Sequence, residues 1–345
     1  MSHLLVVGGA GFIGRHLLEA WLSQSGNRAT VLDNGSGLLG FSRLDEWLDS
    51  DRLQVMRQDI RDRIGLTDLF EQQSFDAVVQ LCCGQQPGPA ALSRRETLDT
   101  MARGTQYLIE GLAANGCDTP FYQLISTAPW GDDPQRDVSY GSSVRPASLM
   151  GVAESIAMEV SLGLSRELGI RAQVWVAPLA FGTFQIAGPV PELIARVLNG
   201  QGHTQSSSKA DWRLIYAPDL ASRLVRAIEH PVPGDVVRLP GLSGMGWEAL
   251  SRTMAELMQR FNAANPALSR RFPDADWHWR MGIEHSQHPG WPEVVVGGEG
   301  AIEYPETPWP QALAHTLRWY LTYPQLWQGK VAPVRGLESE YAPAI

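Results

Sequence analysis

Three glycines near the start of the chain have a spacing that could hold a phosphate. The stretch VVGGAGFIG places Gly8, Gly11 and Gly14 between an apolar run and a helix-like segment. Glycine lets the backbone approach a diphosphate closely, and the first turn of the helix supplies amides and a positive dipole end. We expect this loop, with Phe12 and Ile13, to bind a dinucleotide; the alternative is a glycine-rich turn without a ligand.

An acidic residue, Asp33, ends the second apolar run. In dinucleotide-binding folds, a carboxylate at this place accepts hydrogen bonds from the adenosine ribose hydroxyls. The residues that follow it directly, Asn34 to Ser36, carry no positive charge that could hold a 2′-phosphate. The sequence therefore predicts NAD rather than NADP.

The elements that must position these residues are short apolar strands alternating with helical stretches. The strands are expected at residues 4–9, 29–33, 53–56, 76–81, 121–126 and 172–181. Most lack two-residue alternation, which indicates burial on both faces of a parallel sheet. We predict an α/β fold of the Rossmann type, a doubly wound parallel sheet.

The character of the sequence changes after the sixth apolar run. Proline and glycine become more frequent, and helices are expected at 190–199, 218–229 and 246–261. We therefore predict a dinucleotide-binding domain over residues 1–181 and a smaller, loop-rich substrate lobe with a C-terminal tail over residues 182–345.

Composition excludes several classes of protein. The net charge of −9 over 345 residues provides no attraction for nucleic acid or an acidic membrane surface. The three cysteines, Cys82, Cys83 and Cys117, form no disulfide framework, and with no evident export signal they suit a cytoplasmic location. No apolar run is long enough to span a membrane. The stretch EHSQH at 284–288 lacks further ligands, so no metal is expected.

Taken together, the motifs resemble those of the extended short-chain dehydrogenase/reductases, specifically the NAD-dependent sugar-nucleotide epimerases and dehydratases. The resemblance rests on these segments: GGAGFIG, LDNGSG, QDIRD, VVQLCCG, ISTAPWGD, GVAESIAMEVSLGLSRELGI, VAPLAFG, VPELIARVLNGQ, WRLIYAPDLASRLVRAIE and VVRLPG. It implies a bound NAD, a small polar substrate such as a nucleotide sugar, and a homodimer paired through helices at about 90–114 and 144–168.

The resemblance also assigns roles to individual residues. It implies that the cofactor contacts, besides the glycine loop, are Asp33, Asn34, Asp59, Ile60, Leu81, Cys82 and Cys83. Ser126 stands at the family's catalytic serine or threonine. Gln85 and Arg213 are the candidates for substrate contact, although Trp212 holds the position of the family's phosphate-binding arginine.

The catalytic pair of that family is missing from this chain. Met150 stands where the resemblance expects a tyrosine, and Glu154 where it expects a lysine. The only lysines, Lys209 and Lys330, have no tyrosine four residues before them. Tyr140 resembles the tyrosine of the motif superficially. If it were the family's tyrosine, however, ten extra residues would separate it from the end of the following helix.

Other groups are therefore candidates for proton transfer. Glu154 is either a base whose pKa is raised by burial, a ribose-binding carboxylate, or a solvated or arginine-paired surface residue. Cys83 or its neighbour is either an activated thiol or a small residue packed against the cofactor. Ser126 holds either a substrate oxygen or its own backbone, and Tyr140 is a further candidate.

Three functional hypotheses follow from these residues. The first is an NAD-dependent epimerase- or dehydratase-like enzyme (an isomerase, lyase or oxidoreductase) with non-standard acid–base residues. The second is a catalytically inert NAD-binding sensor or scaffold. The third is a structural dimer partner of an active homologue.

Overall fold

The strands expected from the apolar runs form one parallel sheet in a computed structural model of the chain. The structure describes residues 2–37, 39–82, 93–116, 118–131, 143–200, 214–231, 233–239, 247–277 and 307–328. The strands are β1 His3–Val7, β2 Arg28–Asp33, β3 Leu53–Arg57, β4 Ala77–Gln80, β5 Phe121–Ile125, β6 Ala172–Val176, β7 Leu179–Phe181, β8 Leu214–Tyr216 and β9 Val236–Arg238.

The order of the strands in the large sheet is β3-β2-β1-β4-β5-β6-β9, and every neighbouring pair is parallel. The chain therefore winds outward from β1 in one direction and from β4 in the other. This is the doubly wound Rossmann arrangement, whose ligands bind beyond the carboxyl ends of the strands where the order reverses. The predicted fold class is confirmed.

Helices connect the strands and are stabilised by short-range capping. The helices are α1 Phe12–Leu22, α2 Arg63–Gln72, α3 Arg94–Asp99, α4 Thr105–Ala114, α5 Leu149–Leu168, α6 Pro189–Leu198, α7 Ala217–Glu229, α8 Trp247–Ala264, α9 Ala267–Arg271, α10 Trp309–Thr322 and α11 Pro324–Trp327. At the start of α2, the Asp62 side chain accepts from the Gly65 amide. The start of α3 is a capping box of Ser93 and Glu96. A π-helical segment, residues 100–104, joins α3 to α4.

The sheet is buried on both faces. Leu5 and Val7 of β1 belong to a core cluster with residues of α2 and α4, including Leu66 and Leu108. The residues that alternate with them in β1, Leu4 and Val6, point to the opposite face and are also buried. This double burial explains why the strands have continuous apolar sequences, and it leaves the strand ends as the place for polar groups.

The division of the chain differs from the predicted boundary at 181/182. One compact unit comprises residues 1–180 and 217–240, and the other comprises residues 181–216 and 241–345. Residues 217–240 return to the first unit because α7 packs against α1 and β9 pairs with the edge strand β6. The expected single strand at 172–181 is two strands, interrupted at Pro178, and the second of them pairs with β8.

No helix in the described ranges is both long and apolar enough to cross a membrane.

Candidate functional site

The glycine loop connects β1 to α1 at the carboxyl edge of the sheet. Gly8 has a positive φ of 83°, and a Cβ atom built on it would lie 2.6 Å from the backbone nitrogen of Cys82. A Cβ atom on Gly14 would lie 2.5 Å from the carbonyl oxygen of Gly9. These two positions exclude a side chain, because the loop and the first turn of α1 pack directly on neighbouring backbone.

The start of α1 leaves its first amides available. Gly11 is the N-cap residue and provides no side-chain hydrogen bond to the helix. The amide of Arg15 donates to the Gly11 carbonyl at 3.1 Å, so the amides of Phe12, Ile13 and Gly14 precede the first hydrogen bond of the helix. The predicted phosphate-binding residues thus form an uncapped helix start that a diphosphate would fit.

Asp33 lies beside this loop at the end of β2. Its carboxylate accepts hydrogen bonds from the Ala10 amide at 3.0 Å and the Gly35 amide at 2.8 Å. Burial raises the pKa of Asp33, whereas these two amides and the nearby Arg43 guanidinium act in the opposite direction. The structure therefore places the predicted ribose-binding acid next to the glycine loop, as the sequence indicated.

Asn34 and Asp59 join β2 to the residues that follow β3. The Asn34 amide donates to Asp59 at 3.2 Å, and Arg61 donates to both carboxylate oxygens of Asp59, at 2.9 and 2.8 Å. The hydrogen bond from the Arg61 side chain lowers the pKa of Asp59 to about 2. Ile60 is buried against Gly104 of the π-helical segment. The resemblance predicts that Asp59 and Ile60 flank the adenine, and this contact stays a prediction.

The residues after β4 lie next to the glycine loop. The Leu81 amide donates to the Val7 carbonyl at 2.8 Å, and the backbone of Cys82 is in close contact with Gly8. The Cys82 side chain is partly buried and packs against the main apolar cluster. Close packing beside the loop is thus what the structure shows for Cys82.

Ser126 and Glu154 form a hydrogen-bonded pair at the end of β5. The Ser126 hydroxyl donates to Oε2 of Glu154 at 2.6 Å, and the Ser126 amide donates to Oε1 at 3.2 Å. The amide of Ala128 donates to the Ser126 oxygen at 3.1 Å. Two candidate residues that are 28 positions apart are therefore in direct contact.

The approach of α5 to the end of β5 brings this pair together. Ser148 caps α5 by accepting from the Gly151 amide at 3.1 Å. A Cβ atom on Gly151 would lie 2.4 Å from the Ala128 carbonyl oxygen, so only glycine permits this approach. Since residues three apart share a helix face, the same approach directs Glu154 toward Ser126. The role of Gly151 was missed in the sequence, where nothing marks it as a contact residue.

Burial determines the acidity of Glu154. Only 4% of the residue is exposed, and this burial raises its pKa to about 7, against the lowering effect of its two hydrogen bonds from Ser126. The alternative of a solvated surface glutamate is therefore wrong. Met150, one turn earlier in α5, is partly buried and has no group that exchanges protons.

Arg43 is a second residue that the sequence analysis missed. It lies in a 3₁₀ segment, residues 40–47, and its guanidinium donates to the Ala10 carbonyl at 3.2 Å. Ten positions separate it from Asp33 in the sequence, and no local motif marks it. Arg61, in contrast, could be recognised from the sequence as a partner of Asp59, because it stands only two residues after it.

Four predicted site residues lie outside the described residues, namely Cys83, Gln85, Tyr140 and Arg213; residues 284–288 also lie outside them.

Two arginines on the helical segment after β4, Arg95 and Arg103, are exposed and pair with Asp99. The Nε atom of each lies 3.6 Å from a carboxylate oxygen of Asp99. Within the part of the chain that the structure describes, no three His, Cys, Asp or Glu side chains come together as a metal site requires.

Comparison with solved structures shows the same fold at low sequence identity. A dTDP-glucose 4,6-dehydratase from Bacillus anthracis, in complex with NAD, superposes with a TM-score of 0.75 and 15% identity, over 95% of this chain and 99% of that chain. A UDP-glucuronic acid 4-epimerase from Bacillus cereus, also in complex with NAD, gives a TM-score of 0.74 and 17% identity, over 94% and 99% of the two chains.

Comparison with curated proteins identifies relatives of one chemical class. A probable UDP-arabinose 4-epimerase of Oryza sativa subsp. japonica is 28% identical over 195 residues, which are 56% of this chain and 45% of that protein. A bifunctional UDP-glucose 4-epimerase and UDP-xylose 4-epimerase of Arabidopsis thaliana is 32% identical over 131 residues, 36% of this chain and 37% of that protein. The chain thus spans less than half the length of these relatives.

The family model of the NAD dependent epimerases and dehydratases matches residues 4–239, which include the glycine loop, Asp33, Ser126 and α5. The match confirms the family predicted from the motifs and, at the level of the family, the predicted cofactor. The protein belongs to the NAD dependent epimerase/dehydratase family.

Proposed function

We propose that this chain binds NAD and acts on a nucleotide sugar, as an epimerase or dehydratase in which Ser126 and Glu154 transfer the proton. The observation that carries the proposal is the hydrogen-bonded pair of Ser126 and buried Glu154 at the carboxyl edge of a Rossmann sheet. The nucleotide-sugar substrate is supported by the names of the relatives and structural neighbours.

NAD fits the residues that the structure brings together at the β1 end. The amides of Phe12, Ile13 and Gly14 would hold the diphosphate, and Asp33 would accept from the adenosine ribose. The cluster of Asn34, Asp59 and Ile60 and the backbone at Leu81 and Cys82 would flank the adenosine and the rest of the cofactor. When bound, NAD supplies a hydride acceptor for a substrate carbon.

The direction of the hydrogen bonds at Ser126 indicates how a proton would move. The single hydroxyl hydrogen of Ser126 is donated to Glu154, and the Ala128 amide occupies one acceptor position of the oxygen. A substrate hydroxyl would therefore donate to the remaining lone pair of Ser126. As the substrate carbon loses a hydride, the hydroxyl proton passes to Ser126 and the serine proton passes to the Glu154 carboxylate.

Glu154 has the acidity that such a proton acceptor needs. A general base works best with a pKa near the pH of the reaction, and burial brings the pKa of Glu154 to about 7. On this proposal, Met150 occupies the tyrosine position of the family and Glu154 the lysine position, so the base moves from the tyrosine to the carboxylate. Cys83 and Tyr140 stay predictions as further proton carriers, as do Gln85 and Arg213 as substrate contacts.

The absence of a proton-exchanging group at Met150 favours a second candidate, a catalytically inert NAD-binding sensor or scaffold. Both candidates share the cofactor site, and they differ in whether any nucleotide sugar is converted. Incubation with NAD and a panel of UDP- and dTDP-sugars, followed by NMR of the sugar products, separates them. Formation of an epimer or a dehydrated sugar supports the enzyme.

We also propose a cytoplasmic homodimer that pairs through the helices at about 90–114 and 144–168, the second of which is α5. Leu149 and Val152 of α5 are exposed apolar residues, at 37% and 38%, which supports a partner surface on this helix. Light scattering of the purified chain would give twice the mass of 37.9 kDa if it dimerises. The cysteine content supports the cytoplasmic location.

We expect Asp33→Ala to weaken NAD binding by about 10- to 100-fold, because a hydrogen bond to a charged group contributes roughly 1.5–3 kcal/mol. Titration calorimetry with NAD measures the change. Asp51→Ala, which removes an exposed carboxylate in the turn before β3, is the control and should bind NAD like the wild type. Equal affinities of the Asp33 variant and the wild type would contradict the proposed cofactor site.

A further inference from the structure

The contact between Ser126 and Glu154 has a counterpart two turns further along α5. There the Ser161 hydroxyl donates to Oε1 of Gln123 in β5 at 2.8 Å, and neither residue is more than 1% exposed. Ser161 is seven residues after Glu154, so the two side chains lie on the same face of the helix. A second hydrogen bond, inside the core, therefore joins α5 to β5.

The two hydrogen bonds have the same spacing on the helix and on the strand. The later helix residue meets the earlier strand residue, so α5 runs antiparallel to β5. Seven residues of an α-helix rise by about 10.5 Å. The three residues from Gln123 to Ser126 span about 10 Å of extended chain, at roughly 3.3 Å per residue. Both bonds therefore form together at one axial position of α5, and a slip by one residue, about 1.5 Å, would break them.

The contacts between these two hydrogen bonds are apolar and do not define that position. Ile125 packs in one cluster with Met158 and Leu162 of α5. Burial of apolar surface is non-directional, and methionine adapts to irregular spaces, so such contacts tolerate a small axial shift. A hydrogen bond, in contrast, weakens steeply when its angle departs from the optimum. The directional bond of Ser161 thus fixes how far along the strand Glu154 lies.

The amide of Gln123 has a cost that packing does not explain. Its neighbour in register on β4 is Gln80, whose Nε2 donates to the Thr105 hydroxyl of α4 at 2.9 Å. Within the described part of the chain, Nε2 of Gln123 and Oε1 of Gln80 are buried without a hydrogen-bond partner. Incompletely bonded amides destabilise the interior of a sheet, where apolar side chains would pack as well. Their presence indicates a purpose other than filling the core.

We infer that Gln123 and Ser161 are positioning residues, whose hydrogen bond sets the axial register of α5 on β5 and thereby holds Glu154 against Ser126. Both act from inside the core and neither would touch the substrate. This inference rests on the proposed proton transfer by Ser126 and Glu154.

The first test measures turnover of Ser161→Ala, Gln123→Met and the double variant with the sugar that the wild type converts. We expect kcat of each single variant to fall more than tenfold and by up to about 100-fold, the cost of displacing a catalytic group by roughly 1 Å. KM for the sugar and the dissociation constant of NAD should stay unchanged. The double variant should be no slower than the single variants, because all three lose the same hydrogen bond. Ser161→Thr keeps the hydroxyl and should recover most of the turnover.

The second test follows the titration of Glu154 and does not depend on turnover. In protein labelled with ¹³C at the glutamate carboxyl groups, NMR at a series of pH values reports the pKa, and Glu154→Gln identifies the signal. The hydrogen bonds from Ser126 act to lower the pKa of Glu154. Their weakening in Ser161→Ala and Gln123→Met should therefore raise this pKa above its value in the wild type. A loss of stability alone would leave it unchanged.

Ser165→Ala is the matched control, because Ser165 is a buried serine on the same helix whose hydroxyl has no hydrogen-bond partner among the described residues. It should keep the turnover and the Glu154 titration of the wild type. Thermal unfolding checks that each variant is folded, and the double variant, which removes both partners together, should remain close to the wild type in stability.

The outcomes separate the positioning role from the proposed function. Wild-type turnover and an unchanged Glu154 titration in Ser161→Ala and Gln123→Met would overturn the inference, while the proton transfer would stand. A wild type that converts no sugar would overturn the proposed function, and the Glu154 titration would then decide the positioning role by itself.

Discussion

Glu154→Gln and Ser126→Ala are each expected to lower the turnover of a nucleotide sugar by about 10²- to 10⁴-fold, the usual contribution of general acid–base catalysis. Glutamine keeps the size of the side chain and a hydrogen-bonding oxygen but cannot take up the proton. Alanine removes the oxygen between the substrate and the carboxylate. The measurement is the rate of product formation by NMR, with the sugar that the wild type converts.

The pH dependence gives a second signature of the same proton transfer. Because the pKa of Glu154 is about 7, the carboxylate is mostly protonated below pH 7 and mostly ionised above it, so wild-type turnover should rise as the pH increases through 7. The residual activity of Glu154→Gln should lack that rise. A structural defect would lower the rate at all pH values without changing the shape of the profile.

Glu159→Gln is the matched control for these variants, since Glu159 is an exposed glutamate on the same helix. It should keep the wild-type rate and pH profile, and all variants should keep the NAD affinity of the wild type. If Ser126→Ala and Glu154→Gln also kept the wild-type rate, the proposed proton transfer would be wrong. Binding of NAD without conversion of any sugar by the wild type would favour the sensor.

The fold could be predicted because its signals are local and repeated. Each buried strand has its own apolar run, and the glycines between β1 and α1 are adjacent in sequence. The return of residues 217–240 to the first unit could not be predicted in this way, because it depends on the pairing of β9 with β6 about 60 residues earlier. Strand pairing at that distance leaves no mark in a local pattern.

In the candidate site, too, some residues could be found from local sequence and others could not. The glycine loop and Asp33 stand immediately after or at the ends of apolar strands, so their spacing along the chain was enough to locate them. The contact between Ser126 and Glu154 depends on Gly151, which lets α5 touch Ala128. Arg43 reaches the Ala10 carbonyl of the glycine loop only through a turn that the sequence did not suggest. Residue types therefore indicated the glycine loop and Asp33 as candidates, whereas the contact between Ser126 and Glu154 required tertiary structure.

The buried carboxylate should also make the folded state less stable as the pH rises. In the unfolded chain the pKa of a glutamate is 4.5, and in the folded protein that of Glu154 is about 7. Between these values the unfolded state releases a proton that the folded state retains, so the free energy of unfolding falls with increasing pH. Above pH 7 both states are ionised and the loss is complete.

The size of this effect is on the order of 3 kcal/mol, since one pKa unit corresponds to about 1.4 kcal/mol and the group is almost fully buried. We expect the wild type to lose stability relative to Glu154→Gln by this amount between pH 4.5 and pH 7. Urea unfolding at several pH values, followed by tryptophan fluorescence without added NAD, measures the difference.

The exposed Glu159→Gln variant should follow the wild-type curve at every pH. If Glu154→Gln did so too, Glu154 would ionise in the folded protein as it does in the unfolded chain, and the raised pKa would be wrong. A stability loss that the wild type and Glu159→Gln share and that Glu154→Gln lacks would mean that the protein maintains a charge that its fold disfavours. Such a cost is characteristic of a functional site, because a carboxylate that only supported the structure would be replaced by an amide with a gain in stability.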